Sequence, residues 1–184
     1  MAEKQRRERR EKRREEEREE LEERVVDIRR VAKVIKGGRR FGFRTVVVVG
    51  DKAGRIGIGI GKSRAVPDSI RKANQKARVS LKKYALAEGT IPHAVTGEYG
   101  GSKVLLLPAA PGSGVIAGGG VRAVLEVVGV HNILTKSQGS SNLLNVAMAT
   151  LEALSQIRSP ELLAEMRGKP VHEMRPVWAR RKGV

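Results

Sequence analysis

The chain has 184 residues, and its 37 Lys plus Arg against 20 Asp plus Glu give a formal net charge of +17 and a pI of about 10.9. A balance that basic points to a polyanionic partner, either nucleic acid or an anionic membrane surface. Cysteine is absent and His93, His131 and His172 lie far apart in sequence, which excludes disulfide scaffolds and Cys-based zinc sites. No apolar run approaches the 18 or so residues of a spanning helix, and the N-terminus is charged where a signal peptide has its apolar core, so a soluble cytosolic protein is expected. Aromatic residues make up only 3% of the chain, which argues against a binder that stacks successive bases on aromatic platforms.

Residues 1–24 are dense in charge yet carry none on balance, and their Glu–Lys and Glu–Arg spacings support a solvated helix or a disordered extension. The excess sits further on: residues 25–83 carry +14, residues 84–157 carry −1 and residues 158–184 carry +4. A nucleic-acid-facing part and a neutral part are therefore expected, the neutral part to support the first or to meet protein.

From Arg24 to Lys36 the apolar residues fall on alternate positions, which predicts a strand with a basic face that ends at Gly37-Gly38. Arg39–Val49 and Arg55–Ile60 predict two further strands joined by the short connection Gly50-Asp51-Lys52-Ala53-Gly54. In the second of these, Ile56, Ile58 and Ile60 alternate with Gly57, Gly59 and Gly61, a glycine face that lets a helix or another backbone come close. Pro67 suits a first helical turn, and Ile70, Ala73, Ala77, Leu81 and Tyr84 follow at helical spacing. The other faces of that helix carry Arg71, Lys72, Lys76, Arg78, Lys82 and Lys83, more cations than solubility requires. The first module is thus expected to be a three-stranded antiparallel sheet with a basic helix.

After Gly89 strands are predicted at His93–Glu98, Lys103–Leu107 and about Asn132–Lys136, with helices at Val121–Val128, at Asn142–Gln156 and after Ser159-Pro160. A glycine-rich stretch from Pro111 to Gly120 separates the second strand from the first of these helices. The alternation predicts an α/β module with its own core, burying Leu143, Val146, Ala147, Thr150, Leu151 and Leu154. The fold class is accordingly α+β overall.

Three segments in order, RVAKVIKGGRRFGF, VVVVGDKAGRIGIGIGKSRAVPDSIRKANQKAR and PAAPGSGVIAGGGVRAVLEVVGVHNILTKSQGSSN, resemble the small-subunit ribosomal protein five family in its bacterial form, over roughly residues 25–168. The resemblance implies a double-stranded-RNA-binding-like fold for residues 25–88. For residues 89–168 it implies the two-layer α/β fold shared by ribosomal, translocase and small-molecule kinase domains. It also implies a non-enzymatic, ribosome-bound protein that binds small-subunit rRNA where head meets body, near the spectinomycin-binding helix, and helps set decoding accuracy. Ribosomal proteins four and eight are its implied neighbours, with mRNA a further candidate partner where it enters the subunit. The extension at residues 1–24 and the basic tail at residues 169–184 have no counterpart in the resemblance.

Lys33, Lys36, Gly37, Gly38, Arg39, Arg40 and Arg44 form the densest basic turn, in which slim glycines let backbone N–H groups and flanking cations approach phosphates. With Arg30, Lys62, Arg64, Lys72 and Lys76 they are the expected rRNA contacts. Phe41 and Phe43 share one face, a spacing that favours core packing over base stacking. GIGIGKS at Gly57–Ser63 lacks the first glycine of a phosphate-binding loop, since position 56 is Ile, and its alternation says strand. Gly112-x-Gly114-x-x-Ala117 matches a dinucleotide fingerprint but has no carboxylate about 20 residues on. A phosphotransferase loop is the enzymatic alternative. The resemblance instead implies that the region of Gly112, Gly114 and Arg122 faces protein four, and no cofactor or metal is expected.

Overall fold

A computed structural model describes residues 21–87, 89–174, 176 and 178. Most of the charged extension and the last residues of the basic tail lie outside the described residues.

Strands β1 (Glu22–Ile35), β2 (Gly38–Gly50) and β3 (Arg55–Ser63) form an antiparallel sheet, and helix α1 (Val66–Val79) lies on one face of it. β1 starts at Glu22, two residues before the expected Arg24, so the end of the charged extension belongs to the sheet. The glycine face of β3 is where α1 docks. A Cβ on Gly61, Gly59 or Gly57 would fall 1.9, 1.9 or 2.1 Å from the carbonyl oxygens of Ser69, Ala73 and Ala77 respectively. Two strand residues advance about 6.6–6.8 Å and four helix residues about 6 Å, so alternate glycines meet every fourth carbonyl of an antiparallel helix. Both ends of this seam are tied by hydrogen bonds: Thr45 Oγ1 and Ser69 Oγ lie 2.7 Å apart, and Ser80 Oγ donates to the Ile58 carbonyl at 2.9 Å.

α1 stops at Val79, short of the expected Leu81 and Tyr84. The free edge of β3 takes over the chain: Lys82–Lys83 pairs with Arg55 and Ile56 as β4, and Tyr84 N–H donates to the Gly54 carbonyl at 2.8 Å. The expected three-stranded sheet therefore has a fourth, two-residue strand.

The second sheet has the order β5 (Val95–Tyr99), β6 (Ser102–Pro108), β8 (Ile133–Gly139), β7 (Val115–Ile116), with β7 parallel to β8 and the other pairs antiparallel. β7 was hidden in the glycine-rich stretch, which was expected to run straight to the helix. Helices α2 (Gly119–Val128) and α3 (Leu143–Ser155) cover this sheet, followed by α4 (Pro160–Arg167) and the short α5 (Val171–Met174). Val146, Ala147, Thr150 and Leu154 of α3 are buried as expected, whereas Leu143 and Leu151 are half-buried. Ala149 and Ala153 are buried instead because α3 sits on Gly97, where a Cβ would lie 2.2 Å from the Ala149 carbonyl oxygen.

The second module does not have a core of its own. One cluster of buried residues joins Val48 and Ile56 of the first sheet to Val104, Leu106, Val124, Leu125, Ile133 and Leu154. The cause lies in β3: with glycines toward α1, Ile56 points the other way into this cluster and Ile58 packs against it. The β2–β3 turn completes the union, since Lys52 and Gly54 N–H donate to the Val127 and Val128 carbonyls at 3.1 and 3.0 Å and so satisfy the end of α2. No helix among the described residues is long and apolar enough to cross a membrane.

Candidate nucleic-acid interface

β3 ends where Ser63 lies opposite Phe43, but β1 and β2 remain paired as far as Ile35 and Gly38. The result is a two-stranded ribbon that runs beyond both the third strand and α1, and every residue from Ala32 to Phe41 in it is exposed. Its tip turns at Lys36-Gly37, with φ of +85° at Gly37 and +156° at Gly38. No atom lies within 4 Å of a Cβ built at either glycine, so backbone conformation and not crowding calls for glycine there.

Register puts like charges directly across from one another: Lys33 faces Arg40, and Arg44 lies between Arg29 on one side and Lys62 on the other. Such pairs destabilise an isolated sheet and are relieved by an anion laid across them. Five other cations of the first module do have acidic partners. Arg24 pairs with Glu22 and Glu126, Arg29 with Asp27, Lys52 with Glu22, Arg55 with Asp51 and Arg78 with Glu23. Among the described residues no ion pair reaches Arg30, Lys33, Lys36, Arg39, Arg40, Arg44, Lys62, Arg64, Lys72 or Lys76. The Nε of Arg44 is buried without a hydrogen-bond partner.

Six of these side chains converge in space, whereas Arg30, Lys36, Arg39 and Arg44 line neither groove. Lys33, Arg40, Lys62, Arg64 and Lys72 line one open groove with Phe41 and Phe43, and Lys62, Lys72 and Lys76 line a second beside it with Ile60 and Gln75. The helix cations thus join those of the ribbon because α1 runs along β3, whose own end carries Lys62.

Phe41 departs from its expected core position. It is 54% exposed, and the Arg30 guanidinium lies over its ring, 4.6 Å from the centroid. Phe43, one pair nearer the body and opposite Ser63, is half-buried. The two rings do share one face, but the layer that would cover that face ends before Phe41.

Gly112, Gly114 and Arg122 stand apart from this surface, on the second module. Gly112 and Gly114 have φ of +93° and +70° with open space beyond each, and their N–H groups both donate to Asn132 Oδ1, at 2.9 and 3.2 Å. Asn132 is the organiser of this loop, and the sequence reading did not single it out. The loop amides that would cradle a phosphate point instead at that carboxamide, which removes the basis of the phosphotransferase alternative. Arg122 donates to the Val115 carbonyl at 3.1 Å and pairs with Glu126 at 3.2 Å, while remaining exposed. Gly57–Ser63, likewise, is strand within the ladder and not a coil around phosphate.

Residues 21–83 match the family model described as Ribosomal protein S5, N-terminal domain, and residues 97–167 that described as Ribosomal protein S5, C-terminal domain. Small ribosomal subunit protein uS5 of Syntrophobacter fumaroxidans is 53% identical over 153 residues, covering 83% of this chain and 92% of that protein. The protein of the same name from Tolumonas auensis is 53% identical over 152 residues, with 83% and 92% covered. That of Thermotoga maritima is 51% identical over 152 residues, with 83% and 85% covered. Two family models matched in order, and relatives this similar along most of their length, mean that the chain belongs to the ribosomal protein S5 family, whose members are structural and not enzymatic.

Proposed function

We propose that this chain is a structural constituent of the small ribosomal subunit that holds rRNA through the β1–β2 ribbon and the adjoining face of α1. The observation that carries the reading is the set of converging cations without acidic partners, several of them directly opposite one another, on a ribbon that the fold leaves bare. Phosphate is the partner that matches such a surface, because neutralising it releases condensed counterions and relieves the cross-strand repulsion. The relatives' name, small ribosomal subunit protein, supplies the particle. Following the resemblance, the ribbon lies in rRNA at the junction of head and body, with ribosomal proteins four and eight as neighbours and mRNA passing close by.

The loop of Gly112 and Gly114, with Arg122, is the proposed contact for protein four and the route to decoding accuracy. Its support is an open backbone approach at both glycines and an exposed cation beside them. An interface of this kind biases a two-state change when its contacts differ between the states.

Sedimentation of a lysate from cells expressing the tagged full chain tests the assignment. The chain is expected to travel with small subunits and to be released from them by high salt. A pool that runs mostly free of small subunits would overturn it.

A further inference from the structure

Phosphate neutralisation explains the cations of the ribbon but leaves Phe41 without a purpose. The ring gains no core packing where it stands: the strand and helix that cover Phe43 do not reach it, and it stays 54% exposed. Directly opposite is Ala32, which offers only a methyl group, while Arg30 reaches diagonally across from the position facing Phe43 and lays its guanidinium over the ring. One face of the aromatic is thereby backed by a cation. The remainder opens on a groove lined by Lys33, Arg40 and Lys62, whose charges would hold an RNA backbone close by.

We infer that Phe41, backed by Arg30, is a stacking platform for one unpaired base of the bound RNA. This inference rests on the RNA-binding reading and deepens it. A base inside an A-form helix cannot reach such a ring, because its faces are taken by its neighbours and the major groove is deep and narrow. A bulged, looped or splayed base can, and aromatic and guanidinium planes are the groups that receive it. Cation backing suits this use: a guanidinium on one face holds the ring flat and presents its other face to the base. A single ring serves a single base, so the low aromatic content argues against a run of stacked bases and not against this one.

The test uses the full chain and small subunits assembled without it. Phe41→Leu keeps apolar bulk and removes the stacking plane, whereas Phe41→Tyr keeps the plane. Phe41→Leu is expected to bind these particles roughly 5- to 160-fold more weakly at every salt concentration, the equivalent of about 1–3 kcal/mol for one stacked base. Its slope of log affinity against log salt should equal that of the wild type, because no phosphate contact is lost. Phe41→Tyr is expected to stay within about twofold of the wild type. Chemical probing of the rRNA bases should find one unpaired nucleotide that is protected by the wild type and by Phe41→Tyr but not by Phe41→Leu. Affinity of Phe41→Leu within about twofold of the wild type would overturn the inference, and so would weaker binding without that change at a base, which would assign the ring to sugar or protein. Failure of the RNA-binding reading itself looks different. It would appear as an unchanged salt slope in the Lys33→Ala/Lys36→Ala variant in the same titration.

Discussion

Thr45–Gly50 of β2 is buried on both faces, under α1 on one and α2 on the other, whereas Arg39–Phe41 of the same strand has neither layer above it. Alternation runs through both stretches, but it sorts different chemistry. In the covered half it separates Val47 and Val49, packed with α1, from Val48 in the shared core. In the bare half it separates an aromatic with its guanidinium from rows of opposed cations. The comparison teaches that this strand is one element with two environments: its inner half joins the two modules, and its outer half is left exposed, where we propose that it meets a polyanion. Residues of the inner half should therefore govern stability and those of the outer half binding.

The largest effect expected on stability is at the inner seam. Gly59→Ala places a methyl 1.9 Å from the Ala73 carbonyl oxygen and 2.6 Å from Ala77 N, both backbone atoms that cannot step aside singly. A loss of about 3 kcal/mol or more is expected in denaturant unfolding, at the upper end of overpacking costs. A loss below about 1 kcal/mol would mean that α1 is not seated on the glycine face. Next comes Thr45→Val, which removes the buried hydroxyl partner of Ser69; since Ser69 Oγ still donates to the Val66 carbonyl at 2.7 Å, about 1 kcal/mol is expected.

A smaller effect is expected at the turn that docks on α2. Burial alone would raise the pKa of the Asp51 carboxyl, but hydrogen bonds from the Arg55 side chain and from the N–H groups of Arg55 and Ala53 outweigh it, and the group titrates below its usual 3.8. A depressed folded-state pKa contributes stability that is present above the unfolded value and is lost as pH falls through the folded one. Asp51→Asn keeps Oδ1 as the acceptor for the two amides, but it loses the charge beside Arg55 and replaces Oδ2, the acceptor for Arg55 Nε at 2.6 Å, with an NH2 donor. It should cost under about 1 kcal/mol at pH 7, since Arg55 is half exposed, and the gap from the wild type should close in acid. A gap that widened in acid would contradict this origin.

Much of this was legible in the sequence where chemistry leaves a periodic mark. The Ile–Gly alternation announced a strand against which a helix docks, Pro67 and Ser159-Pro160 marked helix starts, and the charge count placed most of the excess cations in residues 25–83. What escaped were facts of extent and partnership. Same-face spacing assigned Phe41 to the helix side of the sheet but could not tell that the helix ends before reaching it. Helical spacing carried through Leu81 and Tyr84 although a free sheet edge captures that segment. Nothing local announced that Ile56 of β3 and the valines of α2 would share one core, because that depends on two modules meeting. Asn132 gave no signal either, as its role is to hold backbone amides about twenty residues earlier in the chain.

At the outer half the expected effect on stability is the smallest of all. Lys33→Ala/Lys36→Ala should unfold within about 0.5 kcal/mol of the wild type, as exposed substitutions away from packed features do. The same variant gives the most direct test of the central claim, measured as the salt dependence of the full chain's binding to small subunits assembled without it. Each lost phosphate contact flattens the log–log slope by roughly 0.7–0.9, so the double variant is expected to lower it by between about one and two. An unchanged slope in a folded variant would contradict the account and move the RNA surface off the ribbon.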